Sequence, residues 1–115
     1  MKSFFIKYNC LILSMNLLAL SGCSDFNLYL QSIFVATEYY NDALNYHKQK
    51  DYTRAIESYE KAIELNPSNS DAYNNLAVTV QNRDGLDEAL PYYKMVASLG
   101  NRISQEWLKE NEYKW

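Results

Sequence analysis

Lys48-Gln49-Lys50-Asp51-Tyr52-Thr53-Arg54-Ala55-Ile56-Glu57-Ser58-Tyr59-Glu60-Lys61-Ala62-Ile63-Glu64-Leu65-Asn66-Pro67 is the stretch from which the fold follows. Ala55, Ile56, Tyr59, Ala62 and Ile63 recur at the spacing of one helix face, with charged residues between them. Asp51 stands where a carboxylate can cap the first free amides of that helix. Pro67 closes it, because proline cannot continue a helix and restricts the residue before it.

The same features recur at an offset of 34 residues. Tyr39 pairs with Tyr73, Asn41 with Asn75, Ala43 with Ala77, Ala55 with Ala89, Tyr59 with Tyr93 and Leu65 with Leu99. Small alanines recur where helices must approach closely, and tyrosines recur where a large ring fills the space between them. Tyr39, Ala43 and Tyr46 share one face of a preceding helix. Ser70 is the expected N-cap of a third segment. Gly85 is expected to break between the third and fourth, and Gly100 to end the fourth. Pro91 lies within the fourth, which is predicted to start irregularly or kink there, since proline lacks the N–H that would reach Asp87. Ser104 onward begins another helical stretch, with Trp107 where a third repeat would place its aromatic. No segment shows sustained strand alternation.

This pattern resembles the tetratricopeptide repeat, W-x2-L-G-x2-Y, then A-x3-F, then P. In the first repeat Tyr39, Ala43, Tyr46, Ala55, Tyr59 and Pro67 take the pattern's places, with Ala62 on the packing face; Asp42 stands where Leu is usual. In the second, Tyr73, Leu76, Ala77, Ala89 and Tyr93 match, while Val80 replaces Tyr and Asn101 stands where Pro is usual. The resemblance implies an all-α fold: a short right-handed superhelix of antiparallel helix pairs, with repeats at 36–69 and 70–103 and a capping helix at 104–115. About three repeats usually make a stable stack. Two therefore predict a homodimer or docking on a partner, with Phe26, Phe34, Trp107 and Trp115 as candidate contact residues.

The 115 residues suit one domain at ~100–200 residues per domain. The segment ahead of the repeats reads as an address. Lys2 and Lys7 form a positive region ahead of a short apolar run over 8–20, too short for a span of about 20 apolar residues, so 1–22 is expected to be a signal peptide. Leu20-Ser21-Gly22-Cys23 resembles the lipobox of bacterial lipoproteins, in which the Cys is diacylated and its new amino group is usually acylated too. That implies lipidation (diacylglycerol and palmitate-type chains) at Cys23, a linker or helix over 23–35, and attachment to a bacterial cell membrane. With Ser24 after the Cys, the family's sorting rule favours the outer membrane, facing the periplasm, in a cell that has one. Cys10 would leave with the signal, so no disulfide is expected. Loss of Lys2 and Lys7 from 11 basic residues, against 14 acidic, takes the net charge from −3 to −5. An acidic body is not suited to nucleic acid, and membrane attachment would rest on the acyl chains.

Enzyme chemistry is not expected. His47 is the lone histidine, without a second imidazole or thiol to build a metal site. Glycines only at 22, 85 and 100 rule out a P-loop or G-x-G-x-x-G. Glu57, Glu60 and Glu64 read as a solvated face, Glu57 pairing with Lys61 at i,i+4. No cofactor or metal is implied. The resemblance instead implies a concave surface formed by the first helix of each repeat: Thr37, Tyr40, Leu44, His47 and Lys48, then Asp71, Asn74, Val78, Gln81 and Asn82, with Gln105, Leu108 and Glu112 added by the terminal helix. Rings and amides suit an extended peptide. The expected function is a membrane-tethered adaptor or scaffold holding a peptide or helix of another envelope protein; a small ligand or peptidoglycan in the same groove is the alternative. The family's carboxylate-clamping specialisation is not expected, because Tyr40 and Leu44 occupy the places of its Lys and Asn, and Asn75 alone matches.

Overall fold

The computed structural model describes residues 24–115; the signal and lipobox readings, including Cys23, lie outside them. Among the described residues there are five helices and no strand: α1 Ser24–Lys48, α2 Tyr52–Leu65, α3 Ser70–Asp84, α4 Leu86–Ser98 and α5 Arg102–Glu110. None is long and apolar enough to cross a membrane. The chain divides into two units after Ser32; the helical repeats occupy the second, Ile33–Trp115. The first contains the opening turns of α1, where Phe26, Leu28, Tyr29 and Leu30 are exposed.

Local chemistry sets the boundaries. At the α1–α2 turn Lys50 takes a positive φ of 60°, and the Asp51 amide reaches back to the Tyr46 carbonyl at 2.9 Å. Asp51 then caps α2, accepting from the Arg54 amide at 3.2 Å and from Arg54 Nε at 2.6 Å. Those hydrogen bonds hold its carboxyl below the usual carboxylate range. The third helix corrects the expectation of a Ser70 cap: Asn69 is the cap, its side chain accepting from the Ala72 amide at 3.1 Å, and Ser70 is the first helical residue. Likewise Asn101 caps α5, so the terminal helix begins at Arg102 rather than Ser104. α4 begins ahead of Pro91 and contains it, so the proline does not set its start.

Gly85 ends α3 and opens α4 with φ 112° and ψ 177°, a conformation essentially confined to glycine. A Cβ there would meet only Glu88 Oε2, at an ordinary 3.5 Å. The cost of Gly85→Ala is therefore backbone strain, about 1–3 kcal/mol. A thermal melt should shift down accordingly; an unchanged melt would mean that the turn relaxes freely.

The core follows the sequence pattern. Ala43, Ala55, Ile56, Tyr59, Leu76, Val80 and Ala89 form one buried cluster drawn from α1 to α4. Ala62 and Ala77 are also fully buried. α3 packs against α2 and α4, and α4 against α5. The alanines let backbones close up, and Tyr59, fully buried, fills the centre. Half-buried Tyr46 and Tyr93 pack against this cluster; Tyr39 and Tyr73 are also half-buried, and Pro67 is exposed at the repeat junction. The Lys61 ammonium lies 5.4 Å from the Tyr39 ring centre and Arg54 lies 4.7 Å from that of Tyr46, both within cation–π range. Lys61 is thus placed over a ring; among the described residues, Glu57 and Lys61 form no ion pair.

Candidate interaction cleft

The ten groove positions separate into three groups. Thr37, Lys48, Asp71 and Asn82 are exposed helix surface, and the Thr37 hydroxyl is turned back to the Ile33 carbonyl.

Tyr40, Leu44 and His47 correct the expectation of a free face, because they join neighbouring repeats. Tyr40 packs edge-on to Tyr59, 5.9 Å between centres. Its hydroxyl accepts from Asn75 Nδ2 at 2.8 Å. Burial first, and the Asp71 charge second, raise the Tyr40 phenol above its ordinary value. Leu44 packs on the core cluster. His47 sits edge-on to Tyr52 and bonds buried Thr79 through Nδ1 at 2.8 Å. The Thr79 hydroxyl gives its single proton to the Asn75 carbonyl at 2.6 Å, so its oxygen accepts from His47, which fixes the Nδ1–H form of the imidazole. Tyr40→Ala would therefore loosen the stack as well as alter the surface.

Asn74, Val78 and Gln81 come together in a cleft between α3 and α5, with Tyr93, Ile103, Ser104 and Trp107. Its volume is about 330 Å³. Turns of α3 supply Asn74, Val78 and Gln81 from one face. Tyr93 rises from α4, its hydroxyl donating to Gln81 Oε1 at 2.7 Å, and burial raises its phenol. Trp107 lies tilted on Tyr93 at 5.7 Å and stacks on Tyr113 at 6.0 Å, separations typical of favourable aromatic pairs. Ile103 is 78% exposed at the rim. No lining residue carries a formal charge. A larger cleft, about 430 Å³, lies at the α1–α2 turn with Arg83, but the Asp51 carboxylate within it is already engaged by Arg54. No group of three or more His, Cys, Asp or Glu side chains among the described residues is arranged to hold a metal.

The terminal helix contributes differently from expectation. Leu108 is fully buried, not a groove residue. Gln105 is tied to the Ala97 carbonyl at 2.8 Å, and Glu112 lies past the end of α5. Ile103 and Ser104 were not legible as cleft residues; Trp107 is expected as a partner contact but not among the groove positions. The available signal was Trp107 itself, one repeat length after Tyr73.

Helices paired around small-residue contacts, with a cleft on the first-helix side, define a helical-repeat interaction module. Residues 43–83 match a family model described as TPR repeat, and residues 70–104 match one described as tetratricopeptide repeat. The chain belongs to the tetratricopeptide-repeat family across these residues, whose repeats are protein-interaction modules. It is similar to "Protein STIP1 homolog" of Dictyostelium discoideum, 33% identical over 75 residues and 65% of this chain. It is also similar to "Stress-induced-phosphoprotein 1" of Caenorhabditis elegans, 31% identical over 80 residues and 57% of this chain. The match spans 13% and 25% of those two proteins.

Proposed function

We propose that the chain is a lipid-tethered adaptor that holds an uncharged, apolar-anchored segment of a partner protein in the α3–α5 cleft. The observation that carries this reading is the lining itself: two amides, Asn74 and Gln81, beside the rings of Tyr93 and Trp107, with no formal charge. Rings supply contact area at low entropic cost, and amides can bond a peptide backbone in both directions. A free carboxylate would find no cationic partner among these residues. The Cys23 lipobox supplies the tether, to the outer membrane facing the periplasm where the cell has one, and tethering raises the effective concentration for partners on the same surface. The ring-and-amide lining also suits an uncharged glycan, which keeps peptidoglycan as a second reading.

Photo-crosslinking residues placed at Ile103 and Val78 should capture the same protein, while placement at Glu60, exposed on α2, should not. Equal capture from all three would refute the cleft. Gln81→Glu keeps an acceptor for Tyr93 but adds a charge, and should lower capture at least about tenfold through desolvation of that charge. Capture of peptidoglycan fragments in place of protein would select the second reading. Replacing Cys23 by Ala should abolish lipid labelling; persistent labelling would refute the tether.

A further inference from the structure

We propose that the opening turns of α1, Asp25–Ser32, lie in the lipid interface of the membrane that carries the anchor. The inference rests on the reading of Cys23 as acylated. Four large side chains there are exposed: Phe26 at 61%, Leu28 at 64%, Tyr29 at 59% and Leu30 at 44%. At about 100° per residue, Tyr29, Phe26 and Leu30 form one apolar arc. Asn27, Gln31 and Ser32 lie on the other side, with Leu28 the exception. Asp25 is the only formal charge from Ser24 through Thr37. Ser24, the first described residue, is already helical, and Cys23 immediately precedes it in the sequence. Acyl chains on Cys23 would hold Phe26, three residues on, at the level of the headgroups, because each helical residue advances only about 1.5 Å.

At that depth water no longer surrounds these side chains. Phe and Leu gain by entering the acyl boundary, and Tyr suits the headgroup level, where its ring is apolar and its hydroxyl wet. The segment has no Lys or Arg, so attraction to anionic lipid plays no part. The arc alone would bind weakly, and the acyl anchor supplies the local concentration that makes insertion effective. A second copy of the chain is the competing occupant. Its disfavoured status follows from the place of the segment: the anchor brings lipid to it in every molecule at any protein concentration.

The test labels Leu30→Cys with an environment-sensitive nitrobenzoxadiazole in the full, processed protein reconstituted in phosphatidylcholine vesicles. Cys10 leaves with the signal and the Cys23 thiol is acylated, so the introduced thiol is the reactive one. Quenching by spin-labelled lipid should be at least about threefold stronger at position 30 than at Glu57→Cys on α2. It should fall with Phe26→Ser and Tyr29→Ser, and be insensitive to added phosphatidylglycerol. Equal, weak quenching at 30 and 57 would overturn the inference while leaving the anchor intact, since acylation is read separately from the mass of the mature chain. A mature chain whose mass shows no acyl groups on Cys23 would overturn the anchor reading and this inference together. A blue shift that grows with protein concentration without lipid, and is unchanged by vesicles, would assign the arc to a second copy and overturn the proposal.

Discussion

Tyr59→Ala is expected to remove about 3–5 kcal/mol of stability, the range for truncating a large buried aromatic, and so to abolish most or all of the two-repeat stack. Domains of this kind retain only about 5–15 kcal/mol in total. Tyr59 is fully buried at the centre of the cluster that joins α1 to α4, and its ring supports Tyr40. Its hydroxyl, however, has no hydrogen-bond partner among the described residues. An unpaired buried hydroxyl contributes a desolvation cost and no compensating bond. Tyr59→Phe should therefore be neutral or stabilising by up to about 1 kcal/mol, read as a raised urea midpoint. Equal destabilisation by Phe and Ala would show that the hydroxyl is bonded.

The same residue governs alkaline stability. Burial, and after it the neighbouring Tyr40, pushes the Tyr59 phenol up to about 12 from its ordinary 10.0. The unfolded chain ionises first, at 10.0, so this contribution to stability is full below that pH and is lost as pH rises toward about 12. Tyr59→Phe should move alkaline unfolding to higher pH, followed by circular dichroism. An unchanged alkaline midpoint would assign the transition to other groups.

Leu108→Ala is expected to cost about 2–5 kcal/mol at the end of the stack, because Leu108 is fully buried and anchors α5. In a repeat array each unit contacts only its neighbours, so the loss should be local. α5 should fray while α1–α4 keep their helical signal. The Trp107–Tyr93 contact would open, shifting tryptophan emission to the red and dismantling the cleft. A single cooperative loss of all helical signal would show that α5 is integral to the whole stack.

Much of this architecture was legible residue by residue. Helical periodicity places Ala43, Ala55, Tyr59 and Ala62 in the packing, and the resemblance to the repeat pattern adds Leu76, Ala77 and Ala89; all are buried. The Asp51 cap and the Gly85 and Gly100 breaks were equally readable, since each depends on one residue and its immediate amides or its own φ. The cleft was only partly readable. Asn74, Val78 and Gln81, expected on the groove face, do line the cleft, but Ile103 and Ser104 join them without a sequence signal, and Leu108 is buried instead of lining the groove. Periodicity fixes a helix face to within roughly one residue in 3.6, and at the end of a stack no following repeat corrects the register.

What the sequence carries locally is the helices, the Asp51 cap, the Gly85 and Gly100 breaks, and the residues small enough or large enough to pack between helices, because those properties depend on near neighbours. Only the tertiary structure decided that Tyr40 and His47 serve to join repeats, since their partners Asn75 and Thr79 lie 35 and 32 residues away. It alone turned Leu108 inward and set Trp107 against Tyr93 to make an uncharged cleft. A helix face becomes a groove, or a seam, only when another helix has been laid against it.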